Sequence, residues 1–188
     1  MRRRLGIALL VLAGLAGGLV VLTLLTSTLY RIPSSAMEPT LRCAKPASGC
    51  EAKDRDRVIV SRVVYRFREP RRGDIVAFRV PPAVAAACGG IGGATYIKRL
   101  IVLPGERWSE RDGYIYIDGR RLDEPYVKAD RRDRDSIPVK AVLEDEYVVL
   151  GDNRTSSCDS RRWGTVPRDD IVGPVIATYW PPKRIAFR

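Results

Sequence analysis

The 188-residue sequence contains no histidine. That absence excludes a Ser-His-Asp triad, a Cys-His pair and every histidine-ligated metal site. A hydrolase of this composition must take lysine or a carboxylate as its base. No acid lies before Arg31, and no charged residue of either sign lies between Leu5 and Leu29. There is no CxxC pair, no internal repeat and no long low-complexity linker. The 13 prolines and 16 glycines disfavour long helices after the N-terminus. At this length the chain is one compact domain with an appendage, or at most two small domains. An apolar content of 45% is ordinary and allows a sizeable core.

The net charge is +11. With Arg2, Arg3 and Arg4 set aside, 30 of the 33 basic residues face 22 acidic ones, so the remainder still carries about +8. A basic domain can bind nucleic acid or lie against anionic lipid. Its charges are interleaved, as in Asp130-Arg131-Arg132-Asp133-Arg134-Asp135, the pattern of a solvated loop and not of a nucleic-acid groove. Residues 5–29 are long enough to span a ~30 Å hydrocarbon core as a helix. The three arginines before them place the N-terminus in the cytoplasm. The expected organisation is a cytoplasmic tail over 1–4, a transmembrane anchor over 5–29 and an extracytoplasmic domain over 30–188, a single-pass protein of the cell membrane. A cleaved signal peptide with a site near Ala13–Ala16 ranks lower, because the apolar run continues through Leu25.

An outward location makes the four cysteines candidates for disulfides. Cys43 and Cys50 bracket a small Pro/Gly/Ser loop and form the favoured local pair; Cys88 and Cys158 then pair by elimination, although four cysteines allow three connectivities. A zinc site ranks below, and neither metal nor cofactor is expected. Short β-branched runs at 57–65, 75–80, 96–103, 146–150 and 175–179, with a hairpin over 108–117, alternate with turn residues. Residues 81–95 read as loop and 122–135 as a mobile polar excursion. The fold class expected is mainly β: an N-terminal transmembrane helix followed by an all-β, barrel- or sandwich-like domain.

Three segments could carry chemistry. Ile32-Pro33-Ser34-Ser35-Ala36-Met37-Glu38-Pro39-Thr40-Leu41 is stiffened by two prolines and reads as extended, not helical. Taken alone it is a surface turn. Lys98 sits among apolar residues in Tyr96-Ile97-Lys98-Arg99-Leu100. Burial there would disfavour its charge and supply a neutral amine as base; taken alone, a solvated lysine is the plainer reading. Gly151-Asp152-Asn153-Arg154-Thr155-Ser156-Ser157-Cys158-Asp159-Ser160-Arg161-Arg162-Trp163-Gly164 is dense in hydroxyls, carboxylates and arginines able to pair and stiffen a loop.

Together these segments, with Gly73-Asp74-Ile75-Val76-Ala77-Phe78 and Leu103-Pro104-Gly105-Glu106, resemble the boxes of the type I signal peptidase family, and they occur in the family's order. The resemblance implies an all-β endopeptidase beside the outer membrane face. It would cut signal peptides from exported preproteins after small residues at −3 and −1, with a serine nucleophile and a lysine base. Carried onto this chain, the resemblance makes Lys98 the general base and has Ser157 orient its amine. Ser34 and the backbone N–H of residue 36 would bind the oxyanion. Asp152, Arg99, Asp159 and Arg161 would support the site. The substrate segment would lie as an added strand against Ile32, Met37, Val76 and Phe78.

One departure matters most. The family's nucleophilic serine falls at Ala36, which offers no oxygen. Ser35 does not replace it, because a one-residue shift in an extended segment turns the side chain to the other side. The chain as it stands is therefore expected not to cleave. With the other boxes intact, a deliberate Ser→Ala replacement ranks ahead of a natural pseudoenzyme. The alternative function is a non-cleaving, membrane-anchored binder of signal peptides. The expected partners are signal peptides and the lipid bilayer, with no nucleic acid.

Overall fold

The computed structural model describes residues 25–88 and 94–188, together with Gly14, Gly17 and Gly18. Most of the expected anchor over 5–29 lies outside the described residues. Among those described, no helix is long and apolar enough to cross a membrane. The C-terminal limit of that expectation is corrected, since Ser27, Thr28 and Leu29 belong to a strand.

The described chain is mainly β. Its strands are β1 (Ser27–Arg31), β2 (Arg57–Ser61), β3 (Ile75–Arg79), β4 (Thr95–Val102), β5 (Arg107–Arg111), β6 (Tyr114–Ile117), β7 (Arg120–Arg121), β8 (Ile137–Ala141), β9 (Glu146–Leu150), β10 (Val166–Pro167), β11 (Ile171–Trp180) and β12 (Ala186–Phe187). The larger sheet runs in the order β1-β2-β11-β3-β4-β9-β10, with β12 added to β11; the smaller runs β7-β6-β5-β8. The ten-residue β11 joins the two halves of the larger sheet. Its first residues pair with β3 and its later ones with β2 and β12. The switch occurs beside Gly173, where any Cβ would collide with the Ser61 carbonyl oxygen.

The alternation of β3 explains how the site is held. Ile75 and Ala77 pack into one apolar cluster with Ile32, Met37, Leu41 and Val58. Val76 and Phe78 pack into another with Leu100, Val149 and Ile171. A strand buried on both faces reads as a continuous apolar run, as Ile75–Phe78 does. β4 lies antiparallel to it, with Lys98 opposite Val76. A third cluster around Ile101, Trp108, Ile115 and Leu150 joins the small sheet to the large one.

Several local expectations change. Ser35–Met37 is a 3₁₀ turn, not extended chain, closed by Glu38 N–H donating to the Ser35 carbonyl at 3.0 Å. The prolines flank these three residues without occupying them, so the turn is sterically free to form. The strand expected over 57–65 stops at Ser61, and Val64–Arg66 forms another 3₁₀ turn. Pro82–Ala87 is a short helix within the expected loop, with proline in its first turn and alanines after it. β8 lies in a stretch for which no strand was expected.

Residues 122–135 are not a mobile excursion, because their charges reach inward to partners far along the chain. Glu124 pairs with Arg154 and Arg132, and Asp133 pairs with Arg161.

Candidate active site

A cavity of about 380 Å³ opens between the end of β1 and the start of β4. Ile32, Ser34, Ala36, Met37 and Lys98 all line it. Thus β1 and the 3₁₀ turn present Ala36 to the same space that β4 presents Lys98. Val76 and Phe78, by contrast, lie in the apolar core beside β4 and not on the cavity wall. Tyr30, Tyr96, Ile97, Cys88 and Cys158 also line the cavity; the sequence marks Tyr96-Ile97 as the apolar surroundings of Lys98 and the two cysteines as a disulfide pair, but none of the five as cavity wall.

Lys98 is only 5% exposed. Burial removes water from its ammonium and lowers its pKa to about 8, with Arg161 adding to the fall and Asp159 and Asp152 opposing it. At pH 7 about a tenth of the amine is therefore unprotonated. The Asp159 carboxyl is pushed up by burial. That effect is outweighed by the Arg161 guanidinium, the Gly151 N–H and the Lys98 charge, so it stays ionised below the usual carboxylate range.

The polar loop after β9 packs against the turn at Ala36. Gly151 is wedged so tightly that a Cβ there would collide with the Ser157 hydroxyl and the Ala36 carbonyl oxygen. Only glycine lets these two groups approach across its main chain. The Ser157 hydroxyl is buried and has no hydrogen-bond partner within the described residues. Asp159 accepts from Gly151 N–H at 3.0 Å and from Arg161 Nε at 2.8 Å, and it caps the short helix Ser160–Trp163. Arg154 Nε donates to the Gly151 carbonyl at 2.9 Å. On the opposite side of β4, Arg99 grips Asp152 through two bonds of 2.8 and 2.6 Å and lies over the Tyr126 ring at 3.9 Å. The Thr40 hydroxyl also donates to Asp152, at 2.5 Å, which ties the first box to the last.

The cysteines are joined as Cys43–Cys50 and Cys88–Cys158. Glu38 lies against the first bridge, its Oε1 accepting the Cys43 N–H at 3.4 Å. Sulfurs bonded to each other are not free as zinc ligands. The second bridge ties the helix Pro82–Ala87 to the residue beside Ser157, and both of its cysteines line the cavity. Of the charged cluster of Glu110, Glu124, Asp133 and Arg154 behind the Ser157 loop, only Arg154 was singled out from sequence. Arg154 finds Glu124 30 residues away and Asp133 finds Arg161 28 residues away.

The family described as signal peptidase, peptidase S26, matches residues 2–180. A probable signal peptidase I-2 of Synechocystis sp. is 40% identical over 156 residues, covering 83% of this chain and 64% of its own length. The chain thus spans just under two thirds of that relative. A signal peptidase I of Leptolyngbya laminosa is 39% identical, covering 82% of this chain and 69% of its own. A signal peptidase I of Bacillus caldolyticus is 33% identical, covering 85% and 82%. The chain belongs to the signal peptidase family, peptidase S26.

Proposed function

We propose that the chain has the architecture of a membrane-bound serine/lysine endopeptidase that removes signal peptides from exported preproteins, and that Ala36 silences it. The observation that carries this reading is the buried Lys98 sharing one cavity with position 36 and Ser34. An extended substrate segment would lie in the cavity, pairing main chain with main chain. With a serine at position 36, its Oγ attacks the scissile carbonyl carbon while its proton passes to the neutral Lys98 amine. The oxyanion is held by the Ser34 hydroxyl and the N–H of residue 36. Collapse breaks the C–N bond, and the lysine proton goes to the leaving amine. Water, deprotonated by the same amine, then hydrolyses the ester. The expected bond from the Ser157 hydroxyl to the amine is not made in this structure, so Ser157 is given no orienting role here, while Arg99, Asp152, Asp159 and Arg161 keep the loops in place.

The apolar run before β1 serves in this reading as an uncleaved anchor with a cytoplasmic N-terminus. The row Leu29, Ile59, Ala177 and Phe187 supports lipid contact at its two exposed ends, Ala177 itself being buried. The four stand opposite one another across β1, β2, β11 and β12, with Leu29 57% and Phe187 90% exposed. Retention of the full chain in membranes after alkaline carbonate washing tests the anchor.

The methyl group at position 36 favours a second reading, a protein that captures signal peptides without cutting them. Processing of a model preprotein separates the two. The Ala36→Ser form should cleave it, and adding Lys98→Ala should abolish cleavage. An Ala36→Ser form that binds the preprotein and leaves it intact supports the second reading.

A further inference from the structure

Asn153 is fully buried and does not line the cavity, yet it holds the first two carbonyls of the turn that does. Its side-chain Nδ2 donates to the Ser35 carbonyl at 3.1 Å, and its backbone N–H donates to the Ala36 carbonyl at 3.1 Å. The Thr155 hydroxyl donates to Asn153 Oδ1 at 2.9 Å, which fixes the amide with its NH2 toward Ser35.

The consequence follows from peptide geometry. The Ser35 C=O and the residue-36 N–H belong to one planar trans unit and point in opposite directions. A donor that draws the Ser35 oxygen toward the protein interior therefore turns the residue-36 N–H toward the opposite side. Ser34, Ala36 and Lys98 line the cavity beside this peptide unit. The second bond, to the Ala36 carbonyl, fixes the next peptide plane in the same way. A 3₁₀ turn of three residues has little rigidity of its own.

We infer that Asn153 is a positioning residue whose two bonds aim the residue-36 N–H at the oxyanion formed during acyl transfer. The inference rests on the peptidase reading above. Asn153 touches neither substrate nor the reacting atoms; it acts through the peptide plane it holds, and Thr155 acts one step further back by orienting the amide.

The test uses the full chain carrying Ala36→Ser, with Asn153→Asp, Thr155→Val or Thr155→Ser added. Asn153→Asp is nearly isosteric but sets an oxygen against the Ser35 carbonyl. Outright loss of an oxyanion donor costs about 10²- to 10³-fold in kcat. Here the N–H is misaimed and not lost, because Glu38 N–H still holds the Ser35 oxygen at 3.0 Å. The expected fall in kcat for Asn153→Asp is roughly 30-fold with KM unchanged, below the range for outright donor loss. The affinity of a peptide aldehyde, which adds the introduced serine hydroxyl to form a tetrahedral adduct, should fall in parallel. Thr155→Val should lose about 3-fold, on the scale of one neutral hydrogen bond, and Thr155→Ser should retain the parent rate. Signal-peptide binding by the Ala36 chain should be unaltered by Asn153→Asp. An unchanged kcat overturns the inference. So does a loss of signal-peptide binding in step with the loss of rate, which marks a merely structural staple. If the Ala36→Ser parent itself binds the preprotein without cutting it, the peptidase reading fails and this inference fails with it.

Discussion

Lys98 makes a measurable statement about stability in the chain as it stands. Its pKa falls from 10.5 in the unfolded chain to about 8 in the folded one, because burial disfavours the ammonium. Between those values the unfolded chain binds more protons than the folded one, so stability rises with pH across that window. At about 1.4 kcal/mol per tenfold change in proton affinity, the full difference is worth roughly 3 kcal/mol. Of this, roughly 2–3 kcal/mol accrues between pH 7 and pH 10. Lys98→Met keeps the length and apolar stem and removes the titration. Urea unfolding of both forms at several pH values isolates the effect, since every other titrating group is common to the two. The stability of the parent relative to Lys98→Met should climb by roughly 2–3 kcal/mol from pH 7 to pH 10, flat below and steepening above pH 8. A difference constant to within about 0.5 kcal/mol would mean that the amine titrates alike in both states. A dry base at position 98 would then be refuted.

The same group sets the activity profile of the Ala36→Ser form. With a pKa of about 8, kcat/KM should rise about tenfold from pH 7 to pH 9 and level off, whereas an ordinary lysine gives about a hundredfold rise without a plateau. Asp152→Asn leaves Arg99 buried with its charge unmatched; it should cost about 3 kcal/mol in urea unfolding, and a loss below about 1 kcal/mol would show that the pair is not structural. The bridges close loops of very different length, with separations of 7 and 70 residues. On the chain-entropy account, replacing Cys43 and Cys50 by serine should cost about 2.5 kcal/mol, and replacing Cys88 and Cys158 about 4 kcal/mol. The reverse ranking, from thermal or urea unfolding, would count against chain entropy as their main contribution.

What could be read in sequence and what could not divide along a physical line. Ile75–Phe78, Thr95–Val102 and Glu146–Leu150 are apolar, β-branched and bounded by turn residues, so their local pattern already states that they are strands. The boxes around Ala36, Lys98 and Ser157 were visible because each has a dense combination of residue types. The polar stretch 122–135 misled because charge pattern reports only that groups need water or a partner. It does not report that Glu124 finds Arg154 and Asp133 finds Arg161 in the folded chain. Asn153 was passed over for a similar reason: an asparagine after Gly151-Asp152 reads as a turn former, and nothing local says that its amide reaches Ser35. The 3₁₀ turn itself hid behind Pro33 and Pro39, whose restrictions fall on their own positions and the residues just before them.

The absence of histidine and the buried acids are two sides of one arrangement. A lysine serves as base only if it sheds its proton near working pH, which requires removing water from it. Complete dryness, however, would leave its loops without anchors, because the polar backbone of a loop must be satisfied somewhere. Asp159 and Asp152 answer both needs. Each fixes a loop through an arginine and, in Asp159, a backbone N–H. Their charges also raise the Lys98 pKa against the pull of burial, while Arg161 lowers it again. The value of about 8 is thus the balance among groups that also hold the site together, so the stability of the loops and the strength of the base cannot be changed independently.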